Sequence, residues 1–492
     1  MEKAITKTLN FISAKPWPFI LVLMALNVFI KSLHVTFSSL WLDEASQILM
    51  SLESTKDIIL HSLRYPNAPV YTILLSYWMD LFGHDVFATR FLSIIISAAT
   101  IPVLFFLAKR HFNIFTAVFA CLLFSVSHLQ FYYSHEIRSY TLVTLLVTAS
   151  FFLLLEIIKN PSWLKTFFLI LLNTILLYTH LTSIFIFAAQ GLFLLFYYNS
   201  RIRLIQGFLS IAVPTFLLSF WVINNSWLES GGTVWLPIPK IKDFFNMFFL
   251  FGNKASTFIL VIIVTLSAIF LFRKKSIRDI KKESILKVTL LFLWLIIPVA
   301  SLFLVSVYFN PRFIHRYVLY ATIALYLLIP FIASHKRFPM ALKVILIFVF
   351  LAFSFHKLNL KTPKNEDWAR LSVYYNEIKT NNAITIVSAN YHWISFSYYY
   401  NRDYVIKYKD TRKVLEKENI FFINSIGELK KLDIENKEKI IVVLCHYNVA
   451  DPEQNIVNYL NNKYQETDES REFQNIQVKV FSNIIDYQSE DK

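Results

Sequence analysis

Two adjacent carboxylates, Asp43 and Glu44, follow the first long apolar segment of the chain, in the sequence LWLDEASQ of residues 40–47. Neighbouring acids can raise each other's pKa, so one of them can act as a general base, or the pair can help to ligate a metal ion. Residue type alone also fits a simpler role, in which the pair caps a helix in a solvated loop. Proton transfer and helix capping are therefore both open at this position.

Three other short segments combine charged and aromatic side chains: RYPNAP at residues 64–69, YYSHEIRSY at residues 132–140, and NPRFIHRY at residues 310–317. An arginine guanidinium offers a fork of donors that suits a phosphate, although Arg312, His315 and Arg316 can also simply reach lipid headgroups. Glu136 and Arg138 can form an interfacial ion pair. Most Tyr and Trp side chains are expected at the membrane interface, with a few available to stack on sugar rings.

The composition indicates a protein that spans a membrane many times. Of 492 residues, 56% are hydrophobic and only 16% are charged, and the apolar residues form runs of membrane-spanning length. The net charge of +15 comes from Lys and Arg concentrated in short connectors, which argues against a nucleic-acid partner. The two cysteines cannot form a disulfide framework. The first apolar run lacks a cleavage site and is expected to be an uncleaved span.

We predict about 11 membrane-spanning helices. They lie near residues 17–34, 86–108, 113–129, 140–158, 166–181, 184–199, 204–223, 256–272, 286–308, 317–333 and 340–356. Lys and Arg clusters fall at every second connector, as the positive-inside rule requires, so the four charged segments lie together on the outer side. Ionisable groups are costly at membrane depth. Because the four charged segments share one side of the membrane, we expect their ionisable residues to have a function.

Residues 69–82 test this topology, because PVYTILLSYWMDLF is too short to span and contains an Asp. If it crossed the membrane, every later basic cluster would be on the wrong side. We therefore expect an amphipathic helix on the outer surface, within an outer loop of residues 35–85. A second outer loop is expected at residues 224–255.

After Phe355 the composition changes to polar residues with short β-branched runs, which predicts a soluble α/β domain from residue 358 to 492. We expect a helix at 367–379, strands at 383–388 and 440–444, and a helix start at 451–453. An odd number of spans places this domain outside. It has no cluster with metal-ligand spacing and no Gly-rich phosphate loop, so a lid or acceptor-docking role is expected. The predicted domains are thus residues 1–357 and 358–492.

The charged segments resemble the GT-C superfamily of membrane glycosyltransferases, in particular the polyprenyl-phosphate-sugar-dependent group with protein O-mannosyltransferases and the lipid A aminoarabinose transferase. The likeness covers most of residues 35–320 and extends weakly to EDW at 366–368. The matching motifs are WLDEA at 41–45, PVY to LFG across 69–83, FATR at 87–90, YYSHEIRSY at 132–140 and PRF at 311–313. In combination they are fairly specific, although each is weak alone.

One motif departs from the family. Relatives carry His or Lys before Pro-Pro where this chain has Asn67, and in those with Lys that residue is tied to the donor phosphate. Because Asn67 is uncharged, the resemblance implies that phosphate binding depends on four arginines: Arg64, Arg138, Arg312 and Arg316. The same motifs imply a substrate pocket that includes five residues: Asn67, Tyr71, Tyr133, His135 and His315.

The resemblance implies transfer of a sugar from a polyprenyl-phosphate donor to an acceptor hydroxyl on the outer face of a cell membrane, most naturally the bacterial inner membrane. We expect Asp43 to be the general base, in a single step that inverts the anomeric carbon. Glu44 and Glu136 would orient groups, and a divalent cation, Mg²⁺ or Mn²⁺, at Asp43 and Glu136 is left open.

The acceptor is a glycan, a lipid or a protein. The alternative function is a lipid-linked glycan flippase without catalysis, although the chain has neither related halves nor interrupted midplane helices. A membrane scaffold without an activity of its own is a third reading.

Overall fold

The computed structural model describes residues 2–64, 68–197, 200–223, 236–252, 282–335, 340–356, 358, 364–407 and 410–483. The chain forms two compact units, of which the first contains Met1–Leu33 and Ser54–Leu360, and the second contains His34–Glu53 and Lys361–Lys492. The acidic pair is therefore part of the same unit as the tail, which the sequence does not predict. The domain boundary between residues 357 and 358 stays a prediction.

The first unit consists of helices, most of them apolar. The α-helices are Glu2–Ala14, Pro16–Ser32, Thr55–Arg64, Pro69–Phe82, Val86–His111, Ile114–Val126, His128–Ser134, Tyr140–Lys159, Trp163–Leu177, Ile184–Phe196, Arg201–Ile223, Ile241–Phe251, Lys282–Tyr308, Thr322–Ala333 and Met340–His356. Two 3₁₀ helices are Leu181–Ser183 and His315–Ala321. The predicted mostly helical membrane architecture is confirmed.

Within the described residues, five helices are long and apolar enough to cross a membrane, or up to seven if each of two bent pairs forms one span. The predicted spans between residues 86 and 223 and between 286 and 356 fall on helices. The span predicted at 256–272 lies outside the described residues, as does most of the loop predicted at 224–255. The total of about 11 spans thus stays a prediction.

Side-chain caps define where the central helices of this unit begin. The Asp85 carboxylate accepts a hydrogen bond from the Ala88 N–H at 3.0 Å, at the start of Val86–His111. Asn113 does the same for the next helix, because its side-chain oxygen accepts the Thr116 N–H at 2.8 Å. These caps satisfy N–H groups that a helix terminus otherwise leaves without a partner.

The short segment that tested the topology forms a helix with the bounds Pro69–Phe82. Proline suits its first turn, and Gly83 ends it with a φ of +89°, in the left-handed region that favours glycine. Trp78 donates its indole N–H to the Ala88 carbonyl at 2.8 Å and so fixes this helix against the following one. Its position on the membrane surface stays a prediction.

The second unit is built on a sheet with strand order β2-β1-β3-β6-β4, and β5 also pairs with β6. The strands are β1 Ala383–Ser388, β2 Ile420–Phe422, β3 Lys439–Cys445, β4 Tyr464–Glu466, β5 Arg471–Phe473 and β6 Ile476–Asn483. β1 runs parallel to β2 and β3, and β6 runs antiparallel to its three neighbours. The predicted small α/β domain and its two strands are confirmed.

Helices cover both faces of this sheet. They are Trp368–Ile378, Trp393–Tyr400, Arg402–Lys407, Thr411–Glu416, Ile426–Leu429, Tyr447–Ala450 and Asn455–Asn461, with a 3₁₀ helix at Asn390–His392. Alternate residues of β3 enter two separate apolar clusters, which explains its continuous apolar sequence. The helix predicted to start at 451–453 starts at Asn455 instead, because Asp451 caps it from outside through the Asn455 and Ile456 N–H groups.

A carboxylate network fixes the helices on one side of this unit. Glu418 accepts hydrogen bonds from the hydroxyls of Tyr400, at 2.5 Å, and Tyr404, and from Lys379 Nζ at 3.0 Å. Burial raises the pKa of Glu418, but these three donors outweigh it and hold the pKa below its ordinary value. The carboxylate is therefore charged at neutral pH.

The acidic segment is attached to the tail by hydrogen bonds. The Lys364 N–H donates to the Ser38 hydroxyl at 2.7 Å, and the Leu40 N–H donates to the Tyr399 hydroxyl at 2.8 Å. Two more hydrogen bonds join Ser39 to the same part of the tail. The residues just before the acidic pair are thus held by residues far along the chain.

Candidate active site

The segment YYSHEIRSY begins in the last turn of the helix His128–Ser134 and ends at the first residue of the helix Tyr140–Lys159. The Tyr133 hydroxyl lies 2.6 Å from His315 Nε2, which joins this segment to the start of the 3₁₀ helix His315–Ala321. Aromatic ring contacts continue from Tyr133 to Tyr140, from Tyr140 to His180 and from His180 to Tyr317. These contacts bring the YYSHEIRSY and NPRFIHRY motifs together.

The position of Glu136 depends on a buried serine. Ser93 Oγ donates to the Glu136 carbonyl at 2.8 Å and lies 3.0 Å from the Tyr71 hydroxyl. Tyr71 and Ser93 are almost fully buried, and Glu136 is 5% exposed. The helix Pro69–Phe82 is thereby linked to the loop that carries Glu136, so the predicted pocket residue Tyr71 and the predicted catalytic residue Glu136 are part of one contact chain.

Three of the predicted phosphate-binding arginines lie in the two segments that the Tyr133–His315 hydrogen bond joins. Arg138 belongs to YYSHEIRSY, and Arg312 and Arg316 belong to NPRFIHRY. The Arg316 guanidinium lies 5.5 Å from the centre of the Tyr317 ring. Arg312 Nε is buried and has no hydrogen-bond partner within the described part of the chain. These segments thus combine positive charge with a buried donor that has no acceptor among the described residues, which suits an anionic ligand.

His135 is held by contacts inside the first unit. Its Nε2 lies 2.5 Å from the Lys31 carbonyl, and its ring packs against Phe131 at 4.4 Å between centroids. The side chain is only 7% exposed. His135 therefore connects the segment YYSHEIRSY to the end of the helix Pro16–Ser32. Its place in the substrate pocket stays a prediction.

Two residues in this region are missed by the sequence analysis. His180 contacts the rings of Tyr140 and Tyr317, and the only sequence signal for it is the polar break YTHLT at 178–182 between two apolar runs. Lys31 is fully buried, and its Nζ donates to Ser97 Oγ at 2.6 Å. A lysine inside an apolar run is a signal that could have identified it.

The acidic pair lies in the first turn of the helix Leu42–Ser51 in the second unit. Glu44 is fully buried, and its Oε2 accepts the Trp41 N–H at 3.4 Å, whereas Asp43 is half-buried. Negative charge is favourable at a helix N-terminus. Glu44 therefore performs the capping role, and the role of Asp43 in proton transfer stays a prediction.

Two predicted site residues cannot be placed. Arg64 ends the helix Thr55–Arg64, but its side chain lies outside the described part of the structure, as does all of Asn67. In the part that is described, one group of three potential metal ligands lies together, formed by His392, Cys445 and His446. It includes neither Asp43 nor Glu136, and a cation at those two acids stays a prediction.

Comparison with known proteins supports the resemblance seen in the motifs. Residues 66–227 match the family described as dolichyl-phosphate-mannose-protein mannosyltransferase. The chain has the fold of ArnT from Cupriavidus metallidurans, with a TM-score of 0.55 and 11% identity, over 95% of this chain and 98% of that one. The predicted resemblance is confirmed.

A second ArnT structure, bound to undecaprenyl phosphate, matches with a TM-score of 0.52 and 11% identity, over 96% of this chain and 99% of that one. No curated protein matches the sequence. The matched segment includes Tyr71, Glu136, Arg138 and His180, which are four residues of the segments and contacts described above. The family match thus covers about a third of the chain, and the structural match extends over nearly all of it.

Proposed function

We propose that this protein transfers a sugar from a polyprenyl-phosphate donor to an acceptor hydroxyl, on the extracytoplasmic face of a cell membrane. The observation that carries the proposal is the hydrogen bond between Tyr133 and His315, which joins the segment of Arg138 to the segment of Arg312 and Arg316, in a chain with the ArnT fold. Three guanidinium groups on two joined segments favour a phosphate ligand. Undecaprenyl phosphate, which ArnT binds in its crystal structure, has that chemistry.

In the proposed reaction, the acceptor oxygen attacks the anomeric carbon while the bond from that carbon to the phosphate oxygen breaks, and the configuration inverts. Asp43 accepts the hydroxyl proton. The electron pair of the broken bond leaves with the polyprenyl phosphate, whose charge needs stabilisation more than protonation. The three arginines supply that stabilisation, with Arg64 as a further candidate.

Glu44 and Glu136 orient groups in this proposal. Glu44 holds the turn that carries Asp43, and the Ser93 hydrogen bond fixes the backbone of Glu136. Carboxylates suit Mg²⁺ or Mn²⁺, so a cation at Asp43 and Glu136 would add to the charge available for the phosphate. Added EDTA should then slow transfer, and Mg²⁺ or Mn²⁺ should restore it.

The outer location rests on charge and on substrate supply. Basic connectors mark the opposite side of the membrane, and nucleotide sugars are normally kept in the cytoplasm. A donor whose sugar is already attached to a lipid phosphate reaches the outer face through the bilayer. Labelling of engineered surface cysteines next to Asp43 in intact cells tests this orientation.

The general base is tested by Asp43→Asn in the full-length chain, with undecaprenyl phosphate that carries a radiolabelled sugar as donor. We expect transfer to fall by about 10²- to 10⁴-fold. Asp57→Asn is a matched control, because Asp57 also lies in the first turn of an outer helix and loses the same interaction with the helix dipole. Near-normal transfer by Asp43→Asn would exclude this residue as the base.

The phosphate role is tested by the affinity of undecaprenyl phosphate for Arg312→Gln. Loss of one charged hydrogen-bond partner should weaken binding by about 10- to 100-fold. Arg370→Gln, at an exposed arginine paired with Asp367, is the control. Equal affinities for the two variants would contradict the assignment.

The same donor assay distinguishes an enzyme from a flippase. In proteoliposomes with donor and acceptor, a glycosyltransferase releases free polyprenyl phosphate, whereas a flippase moves intact lipid between leaflets. Mass analysis of surface glycans, with and without this chain, identifies the sugar and the acceptor.

A further inference from the structure

The tail brings together three side chains that favour transition metals. Donor atoms of His392, Cys445 and His446 all lie within 4.8 Å of one another. In a tetrahedral zinc site, donor atoms are about 3.3–3.8 Å apart, given metal distances of about 2.0–2.3 Å. The side chains therefore need to move by about 1 Å to surround one ion. None of these residues belongs to the charged segments of the proposed active site.

The sheet explains why these residues meet. β1 and β3 are adjacent and parallel, with Ser388 beside Leu444, so both strands end at the same edge. Cys445 is the last residue of β3 and His446 follows it, while His392 lies in the 3₁₀ helix just after β1. The carboxyl ends of adjacent parallel strands commonly form binding sites. The three residues are thus placed by the backbone, and not by chance surface contact.

A second, independent observation at His392 points to a ligand. It is 0% exposed, and neither of its ring nitrogens has a hydrogen-bond partner within the described part of the chain. Buried polar groups without a partner are uncommon, since each costs free energy. Its ring lies 4.8 Å from the His446 ring, so the bare nitrogens are next to the other two donors.

We propose that His392, Cys445 and His446 bind a zinc ion. One thiolate and two imidazoles are ligands that zinc prefers, and hard cations such as Mg²⁺ prefer oxygen. His446 is exposed at one edge of the group, so water can fill the fourth position. The site is separate from the cation considered at Asp43 and Glu136, and it does not depend on the proposed sugar transfer.

Glu366 completes the site from outside. Its Oε1 lies 2.9 Å from His446 Nε2, and the carboxylate is largely buried. A metal-bound histidine commonly donates its second N–H to a carboxylate, which fixes the ring and strengthens the ligand. His446 then binds zinc through Nδ1 and donates from Nε2 to Glu366. Glu366 is a positioning residue.

The zinc site would also anchor the acidic segment. Lys364 and Asn365, just before Glu366, make hydrogen bonds to Ser38 and Ser39. An ion bound to His446 also restrains Glu366, which is hydrogen-bonded to His446. It therefore restrains the neighbouring residues to which the segment before Asp43 is attached.

The test uses the full-length chain, purified in detergent without a histidine tag, stripped with a chelator and titrated with Co²⁺ as the probe. We expect one equivalent to bind with the intense visible bands of tetrahedral cobalt and a thiolate-to-cobalt charge-transfer band in the near ultraviolet. Zn²⁺ should displace the cobalt and raise the unfolding temperature of the stripped chain. Absence of cobalt binding would overturn the proposal.

Matched variants separate this site from adventitious binding. Cys445→Ser should lose the charge-transfer band, whereas Cys121→Ser, at the other buried cysteine, should retain it. If Cys445→Ser fails to fold, His446→Asn keeps the test, because His446 is exposed and has a φ of 52°, which asparagine tolerates. It should weaken cobalt binding by about 10-fold or more, and Glu366→Gln by about 10- to 100-fold.

His34→Asn is the control for the histidine change, since His34 is also exposed and has a φ of 59°. Its cobalt affinity should equal that of the unmodified chain. A charge-transfer band that persists in Cys445→Ser, or equal cobalt affinities for the two histidine variants, would refute the assignment.

Discussion

The hydrogen bond between Tyr133 and His315 is the contact most open to a direct test, because it joins the two motifs that supply the arginines. Tyr133→Phe removes only the hydroxyl, which lies 2.6 Å from His315 Nε2. Tyr133 is 3% exposed, so no water replaces the lost group easily. A lost hydrogen bond costs about 0.5–1.5 kcal/mol, and a buried group left without a partner costs about 1–3 kcal/mol.

Because His315 is only partly buried, the expected cost is about 1–2 kcal/mol. His315 lies next to Arg316, so we expect the cost to affect donor binding, with little change in kcat. At roughly tenfold per 1.4 kcal/mol, the affinity for undecaprenyl phosphate should be about 5- to 30-fold weaker. The assay is equilibrium binding of undecaprenyl phosphate, together with initial transfer rates over a range of donor concentrations.

Tyr132→Phe is the matched control, because Tyr132 is the adjacent tyrosine and is 38% exposed. It should bind the lipid as well as the unmodified chain. In the double variant with His315→Ala, the Tyr133 change should have little further effect, since its partner is already absent. Additive losses in that cycle, or equal effects of the two tyrosine changes, would refute the proposed link.

Three further outcomes follow from buried contacts. Ser93→Ala should slow transfer by about 5- to 30-fold, because about 1–2 kcal/mol of support for the Glu136 backbone is lost, whereas Ser125→Ala, which removes only a bond within a helix, should be near neutral. Trp294→Ala should lower the inactivation temperature sharply, at a cost of about 3–5 kcal/mol, since its ring stacks 3.8 Å from a buried phenylalanine. Glu418→Gln should destabilise the protein by about 1–2 kcal/mol at pH 7. Because the folded-state pKa is lowered, this difference should shrink as the pH falls below the ordinary glutamate value of about 4.3, which denaturation at several pH values can measure.

Patterns of neighbouring residues predicted the helices and strands whose formation depends mainly on those residues. Uninterrupted apolar runs identified most helices of the first unit, because a segment of that length and composition is stable in only one environment. The helix Pro69–Phe82 was found with its bounds, since proline and glycine mark its two ends. Strand β1 was also found with its bounds, from a short β-branched run between polar residues.

Contacts between distant segments were beyond the same reasoning. The metal-ligand group has no short spacing, because His392 and Cys445 meet only after two parallel strands align. His180 falls inside the predicted span 166–181, and its ring contacts with Tyr140 and Tyr317 come from segments that are distant in the sequence. The attachment of the acidic segment to the tail depends on pairings that no periodicity along the chain records.

That attachment sets an order of events during synthesis. The hydrogen bonds of Ser38 and Leu40 reach partners that the ribosome adds 326 and 359 residues later. At about 5–20 residues per second, the segment before Asp43 waits roughly 15–70 s for its partners. An unfinished chain in the membrane therefore lacks a completed acidic segment, and a nonsense mutation before residue 364 would leave a membrane unit without the support on which Asp43 is built.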